Sequence, residues 1–223
     1  MRVGIFDSGR GGAFALSYFK ELAPHADTVL YTDTDNAPYG TKSEDELLTL
    51  VSADIEGLRA VGCTYVLMAC CTASTVYSLL PYRLRCGTVP IIAPTAAEAC
   101  RKTRAGRIAV ISTEATHKSG AFAREIAGIS DDISVISHPV QALVALAEAG
   151  ERDGSLSAVA LSILRRELMP IMDCGADTLV LGCTHFAAFE RTLAKITGMK
   201  TVSSARVGAC ALFDAIGGAD KGR

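Results

Sequence analysis

Apolar residues fall along this chain in short, nearly unbroken runs that stop at small or polar residues. The clearest is Thr64-Tyr65-Val66-Leu67-Met68-Ala69, which ends in Cys70-Cys71-Thr72-Ala73-Ser74. A run of this length is short for a helix and reads as a central parallel strand, buried on both faces. It would deliver a thiol to the carboxyl end of a sheet, the edge at which open α/β sheets bind ligands. The arrangement returns 113 residues further on, where Asp177-Thr178-Leu179-Val180-Leu181-Gly182 meets Cys183-Thr184-His185.

Other runs fill in the order. Residues 2–6 predict a strand stopped by Asp7-Ser8-Gly9-Arg10-Gly11-Gly12, and residues 13–22 a helix with Phe14, Leu16, Phe19 and Leu22 on one broad face. A strand over 28–32 leads into a loop at 33–40. Ser43 and Glu46 then have the spacing of a capping box and open a helix over about 44–61. A helix near 74–83 follows, then a short strand at 89–92 ending in Pro94-Thr95. From Arg107 the pattern restarts. Residues 107–112 echo 2–7, residues 133–136 match the second strand, and His138-Pro139 opens a helix containing Leu143, Leu146 and Glu148. A long helix, about 156–172, precedes the strand that ends at Cys183. The expected fold is therefore α/β, with two pseudo-symmetric three-layer lobes, mostly parallel sheets and a substrate cleft between them. Residues 1–93 with 206–223 are expected to form the N-terminal lobe and residues 94–205 the C-terminal lobe.

Composition narrows the partner. A formal net charge of −2, from 22 basic and 24 acidic residues, gives no electrostatic reason to expect nucleic acid or a membrane surface. A small molecule is the expected partner. No run approaches the roughly 18 apolar residues of a membrane span, and the first residues lack the long apolar stretch of a signal peptide, so the cytoplasm is the expected compartment. The eight cysteines form no evenly spaced framework and should be thiols in a reducing compartment. No Cys-x-x-Cys pair suggests structural zinc. Cys70, Cys71, Cys183 and His185 could gather round a metal, but none is expected.

The glycine-rich turn after the first strand invites a dinucleotide reading. However, glycines at 9, 11 and 12 give Gly-x-Gly-Gly without the final spaced glycine, and an aspartate occupies the turn. Backbone N–H groups at that helix start could instead hold a carboxylate. Two cysteines from opposing lobes suggest chemistry on both faces of one small molecule. In racemisation one thiolate takes a proton from an α-carbon while the opposite thiol returns one to the other face. Because a free cysteine titrates near 8.5, each thiol needs a partner, and Asp7 and His185 are the nearest in sequence.

Five ordered motifs carry a resemblance: Phe6-Asp7-Ser8-Gly9; Asp33-Thr34 with Pro38-Tyr39-Gly40-Thr41-Lys42; Ala69-Cys70 with Thr72-Ala73-Ser74; Thr113 with Thr116 and Ser119; and Leu181-Gly182-Cys183-Thr184-His185. Over about residues 2–190 the chain resembles the glutamate racemases, within the cofactor-independent aspartate/glutamate racemase superfamily. The resemblance implies two α/β lobes, no pyridoxal phosphate or other cofactor, no metal, and a role in supplying D-glutamate for peptidoglycan. It implies Cys70 and Cys183 as the catalytic thiols, assisted by Asp7, His185 and the helix residue Glu148. Ser8, Pro38, Tyr39, Gly40, Thr72, Thr116 and Thr184 would surround the amino acid's carboxylates and ammonium group.

Four positions depart from the family pattern. Cys71 stands where the family carries the asparagine of Cys-Asn-Thr, Asn36 where it carries an arginine, Ala187 where it carries a proline, and Ser203 or Ser204 at an acidic position. Cys71 is open to three readings: it points into the sheet, touches substrate, or oxidises with a neighbour. A related enzyme (aspartate racemase, diacid isomerase or decarboxylase), a catalytically weakened binding protein, and a homodimer all stay open at this point.

Overall fold

In the computed structural model, which describes residues 1–217, the first half of the chain runs β1 (Arg2–Asp7), α1 (Gly12–Leu22), β2 (Asp27–Thr32), α2 (Glu44–Ala60), β3 (Cys63–Met68), the one-turn α3 (Cys71–Ser74), α4 (Tyr82–Arg85), β4 (Thr88–Pro90) and α5 (Ile92–Lys102). The second half runs β5 (Arg107–Ser112), α6 (Glu114–Ser119), α7 (Ala121–Ala127), β6 (Ser134–Pro139), α8 (Gln141–Glu148), α9 (Ala158–Met172), β7 (Thr178–Gly182), α10 (Glu190–Thr197), β8 (Lys200–Ser203) and α11 (Ser204–Ala215). Two four-stranded sheets result, ordered β2-β1-β3-β4 and β6-β5-β7-β8, with every neighbouring pair parallel. The order is the same in both, so β1 answers to β5 and β3 to β7. This is the expected α/β architecture.

The central strands are buried almost throughout, as their continuous apolar sequences require. Edge strands β2 and β6 are half-exposed and mix in polar residues, and β6 tolerates Pro139 at its end. Ser43 and Glu46 form the expected capping box at the start of α2: Glu46 N–H donates to Ser43 Oγ at 3.3 Å, and Ser43 N–H to Glu46 Oε2 at 2.8 Å. Each sheet has an outer core of its own, and a third core, built from α1, α5, α7, α11 and the inner faces of both sheets, is shared between them. The lobe divisions drawn at 93/94 and 205/206 fall in the first turns of α5 and α11, two helices of this shared core. The division stands as a proposal, and residues 218–223 of it lie outside the described residues. No helix among the described residues is long and apolar enough to cross a membrane.

Three local expectations are corrected. The helix expected near 74–83 is broken into α3, a 3-10 turn at Tyr77–Leu79, and α4, because Pro81 holds Leu80 extended at ψ 142°. The strand expected over 89–92 stops at Pro90. Pro94 and Thr95 lie inside α5, near a helix start where a missing N–H leaves no bond unmade. His138 and Pro139 finish β6 rather than opening a helix. The ladder with β5 continues to Pro139, Val140 N–H donates to Ser112 O at 2.8 Å, and α8 starts only at Gln141.

Candidate functional site

Both sheets point their carboxyl edges into one cleft of about 350 Å³. β1 delivers Asp7 and Ser8 to it. Ala69 N–H donates to Phe6 O at 2.8 Å, which carries the β1–β3 pairing one residue past the strand and sets Cys70 beside Asp7. At the equivalent edge of the second sheet, β7 ends in Cys183, and a 3-10 helix (Thr184–Phe189) places Thr184 and His185. The lining includes Asp7, Ser8, Pro38, Tyr39, Gly40, Cys70, Cys71, Thr72, Glu148, Cys183, Thr184 and His185, so twelve of the thirteen residues singled out from the sequence border one space. Thr116 stands behind it. Its hydroxyl lies 3.2 Å from that of Thr72 and 2.9 Å from that of Thr113, in a cluster that bridges the lobes.

Each thiol has its own companions. Cys70 Sγ lies 3.3 Å from Ser8 Oγ and accepts the Ala73 N–H at 3.4 Å as the cap of α3. Burial, with the Asp7 charge adding to it and the Ser8 bond opposing, pushes this thiol up to about 11. Asp7 is itself buried. Its Oδ1 accepts the Gly9 N–H at 2.9 Å, and its Oδ2 accepts the Thr184 hydroxyl at 2.8 Å across the lobe boundary. Burial pushes the carboxyl up to about 6, against the opposing pull of His185 and these two donors. On the other wall Cys183 Sγ lies 3.7 Å from His185 Nδ1, and His185 Nε2 lies 2.6 Å from Glu148 Oε1. With Nε2–H donating to Glu148, Nδ1 turns its lone pair to the thiol, the usual way a carboxylate fixes an imidazole tautomer. Burial holds the Cys183 thiol well above its ordinary value, and the neighbouring Cys71 adds to the effect.

The glycine-rich turn works differently from the anion site expected there. Its N–H groups at Gly9 and Arg10 go to the protein's own carboxylates, Asp7 Oδ1 and Glu148 Oε1 (3.4 Å for the latter). Its glycines serve close approach: a Cβ on Gly11 would stand 2.1 Å from Thr184 Oγ1, and one on Gly12 would stand 2.7 Å from the Asp7 Cβ. The two lobes meet at that point.

Cys71 begins α3, packs into the shared core and also borders the cleft; burial pushes its thiol up, with Ser204 opposing. Ser203 and Ser204 are buried at the junction of β8 and α11. Asn36 donates to Asp33 Oδ1 at 2.9 Å, and Ala187 packs against the shared core. Gly9, Thr34 and Thr113, which belong to the sequence motifs but had no role assigned, also line the cleft, as do Arg10, Ala37, Gln141 and Val144, which had not been placed in the site. Gln141 and Val144 had a usable signal, since they precede Glu148 by seven and four residues and so share its face of α8. Among the described residues no group of three or more His, Cys, Asp or Glu side chains is placed to hold a metal ion.

The family model for Asp/Glu/Hydantoin racemases matches residues 16–212. The chain belongs to this family. It is 37% identical over 201 residues to a glutamate racemase of Desulforudis audaxviator, an alignment covering 90% of this chain and 72% of that protein. Among solved structures, a glutamate racemase isoform from Bacillus anthracis superposes with a TM-score of 0.89 at 27% identity, covering 99% of this chain and 82% of that one. The Escherichia coli glutamate racemase, solved with L-glutamate and an activator, superposes with a TM-score of 0.75 at 30% identity, covering 95% and 82%. The chain thus has the fold of the amino-acid racemases it is similar to, with the two strand-end thiols in one cleft.

Proposed function

We propose that this racemase interconverts L- and D-glutamate by cofactor-independent proton transfer between Cys70 and Cys183. What supports the reading most is that two thiols at equivalent strand ends border one cleft, each beside its own titratable partner: Asp7 for Cys70, and the His185–Glu148 pair for Cys183. In one direction the Cys70 thiolate takes the α-proton. The electron pair of the broken C–H bond is delocalised into the adjacent carboxylate, and Cys183 gives its S–H proton to the opposite face of the α-carbon. Cys70 is left as thiol and Cys183 as thiolate. Asp7 and His185 return the pair to its starting state, and the reverse direction exchanges the roles.

The amino acid's polar groups would be held by Ser8, Thr72 and Thr184 with the 38–40 backbone, and Cys71 would border the side-chain end. Thr116 would act through Thr72. The D-glutamate formed would supply peptidoglycan precursors in the cytoplasm. All the named groups come from one chain, so the mechanism does not depend on a homodimer.

Incubating the protein with L-glutamate in deuterated water should give D-glutamate deuterated at the α-carbon, with total glutamate conserved. Absence of exchange would sink the reading, and loss of carbon would indicate a decarboxylase instead.

A further inference from the structure

One buried acid has no part in this mechanism. Asp54 sits on the core side of α2 among Leu47, Val51, Ile55 and Leu58, a position whose spacing calls for an apolar residue, and it is 8% exposed. No ion pair among the described residues includes it. Its partner is the Tyr39 phenol, whose oxygen lies 2.8 Å from Asp54 Oδ2 and 2.6 Å from Asp33 Oδ2. A phenol carries one proton and can donate to only one of two carboxylates. Both contacts are hydrogen bonds together only when one carboxyl keeps a proton of its own, so the row of three oxygens holds two protons. Asp33 has a further donor, Asn36 Nδ2 at 2.9 Å from its Oδ1, whereas Asp54 lies among apolar side chains of α2, so the second proton is assigned to Asp54.

The titratable groups that face Asp54 are Asp33 and Tyr39 from the loop and Tyr31 from β2. From α4 the charged contact with α2 is the exposed Arg83–Glu56 pair, and Arg59 of α2 is turned to the backbone of Cys63, Thr64 and Cys86. Burial pushes the Asp54 carboxyl up to about 6; bonds from Tyr39 and, more weakly, Tyr31 oppose the rise and the Asp33 charge adds to it.

The loop that this phenol fastens carries Thr34, Ala37, Pro38, Tyr39 and Gly40, all of which line the cleft. Its 3-10 turn (Tyr39–Thr41) also packs against α6 of the other lobe. Tyr39 is buried, with its hydroxyl bonded to Asp33 and Asp54 rather than free for substrate. We infer that Asp54 is a positioning residue: by sharing a proton with Tyr39 and Asp33 it holds the 33–41 loop in the shape that lines the amino-acid cleft, and the loop loosens when that proton leaves. The kinetic consequence rests on the racemase reading; the proton-sharing does not.

Asp54→Asn and Asp54→Leu test this. In the wild type KM for glutamate should rise about tenfold as pH increases through the titration of the anchor, the fold-change of losing one such hydrogen bond, while kcat changes less. Asparagine donates to Tyr39 at every pH, so Asp54→Asn should keep the low KM and lose the rise. Asp54→Leu should show the high KM throughout. Because Asp7 titrates in the same range, the wild-type minus Asp54→Asn infrared difference spectrum isolates the protonated carboxyl of Asp54, whose band should fade over the pH range in which KM climbs. Superimposable KM profiles of wild type and Asp54→Asn, or no carboxyl band lost in the variant, would overturn the inference. If Asp54→Leu does not fold, the asparagine comparison decides alone. If glutamate is not turned over at all, the proposed function fails while the infrared band still reports on the anchor.

Discussion

Replacing Asp7 with asparagine should separate catalysis from stability. The buried carboxyl is raised from the ordinary 3.8 to about 6, roughly two units, or about 3 kcal/mol held against its ionised form. Since the folded-state value is the higher one, the folded chain keeps a proton that the unfolded chain has already released. The associated stabilisation is complete below about pH 4 and is lost as pH rises through about 6. At pH 7.5 the wild type therefore bears the whole cost of a buried carboxylate, which asparagine removes. Against that gain, Asp7 accepts from both Gly9 N–H and the Thr184 hydroxyl, and asparagine has one carbonyl oxygen for the two donors. The donor left without a partner costs about 1–3 kcal/mol. The two amounts nearly cancel, so the melting temperature at pH 7.5 should move little.

Activity should not follow. The Cys70 thiol is pushed up to about 11, so forming its thiolate at neutral pH needs a neighbouring acceptor, and Asp7 is the one beside it. Losing such a group typically costs a factor of about 10² to 10⁴. Two enantiomers have equal free energies, so kcat/KM must fall equally in both directions. The asymmetry should appear in kcat and in the α-deuterium isotope effect for the direction in which Cys70 takes the proton. Progress curves by polarimetry from each enantiomer, protiated and deuterated, measure all of these. The acid limb of kcat/KM set by Asp7 near pH 6 should also vanish. A variant within threefold of wild type that keeps this limb would refute the relay and leave Asp7 as a clasp between Gly9 and Thr184.

The other outcomes are simpler. Cys70→Ala and Cys183→Ala should each abolish racemisation, whereas Cys71→Ala should stay within about tenfold, the loss expected from one trimmed contact; equal losses at all three, read by α-deuterium exchange, would contradict the two-thiol assignment. Gly11→Ala puts a Cβ within 3 Å of Thr184 Oγ1, Thr184 Cβ and His185 Nδ1 and should destabilise the fold by about 1–3 kcal/mol in a denaturant melt; an unchanged melt would argue against the close approach. Asp177 accepts from Thr103 Oγ1 at 2.6 Å, Arg104 N at 2.8 Å, Ala105 N at 3.1 Å and Thr178 Oγ1 at 3.0 Å, fastening the turn before β5. Asp177→Ala should lower stability by about 2 kcal/mol at pH 7 without changing kcat, and an unchanged melting curve would argue against that role.

How much of this could be read from the sequence depends on how local the cause is. β1, β3, β5 and β7 were legible because strands covered on both faces must be apolar nearly throughout, and their abrupt ends located Asp7, Cys70, Thr113 and Cys183. Helices α5 and α11 were not: the faces they bury against both sheets at once carry small residues such as Ala96, Ala99, Ala205 and Ala209, and Pro94 near the start of α5 reads as the end of a strand. Pairings across the lobes were equally silent. Asp7 and Thr184 lie 177 residues apart, and nothing local to Gly11 indicates that it clears space for Thr184 rather than binding an anion. Asp54 did leave a trace, a lone acid on an apolar helix face, but its meaning required Tyr39 to be seen beside it.

The two raised thiols bear on how the cleft is switched on. Burial keeps both Cys70 and Cys183 protonated near neutral pH, and protonated thiols are poor nucleophiles and resist oxidation. Among the described lining residues the permanently cationic side chain is Arg10, which is exposed and lies 3.5 Å from Glu148, so it does little to hold a thiolate. On the proposed two-thiol mechanism the amino acid's ammonium group would bring further positive charge to stabilise a thiolate between these walls, with Asp7 or His185 taking the displaced proton. On this mechanism substrate analogues lacking the ammonium group should bind without lowering either thiol's titration, and the empty cleft should react slowly with alkylating agents until glutamate enters. Thiol activation by substrate charge also explains why each sulfur needs a partner of its own. An ammonium on the α-carbon would act on both sulfurs, and the different bases beside Cys70 and Cys183 would then decide which one ionises first.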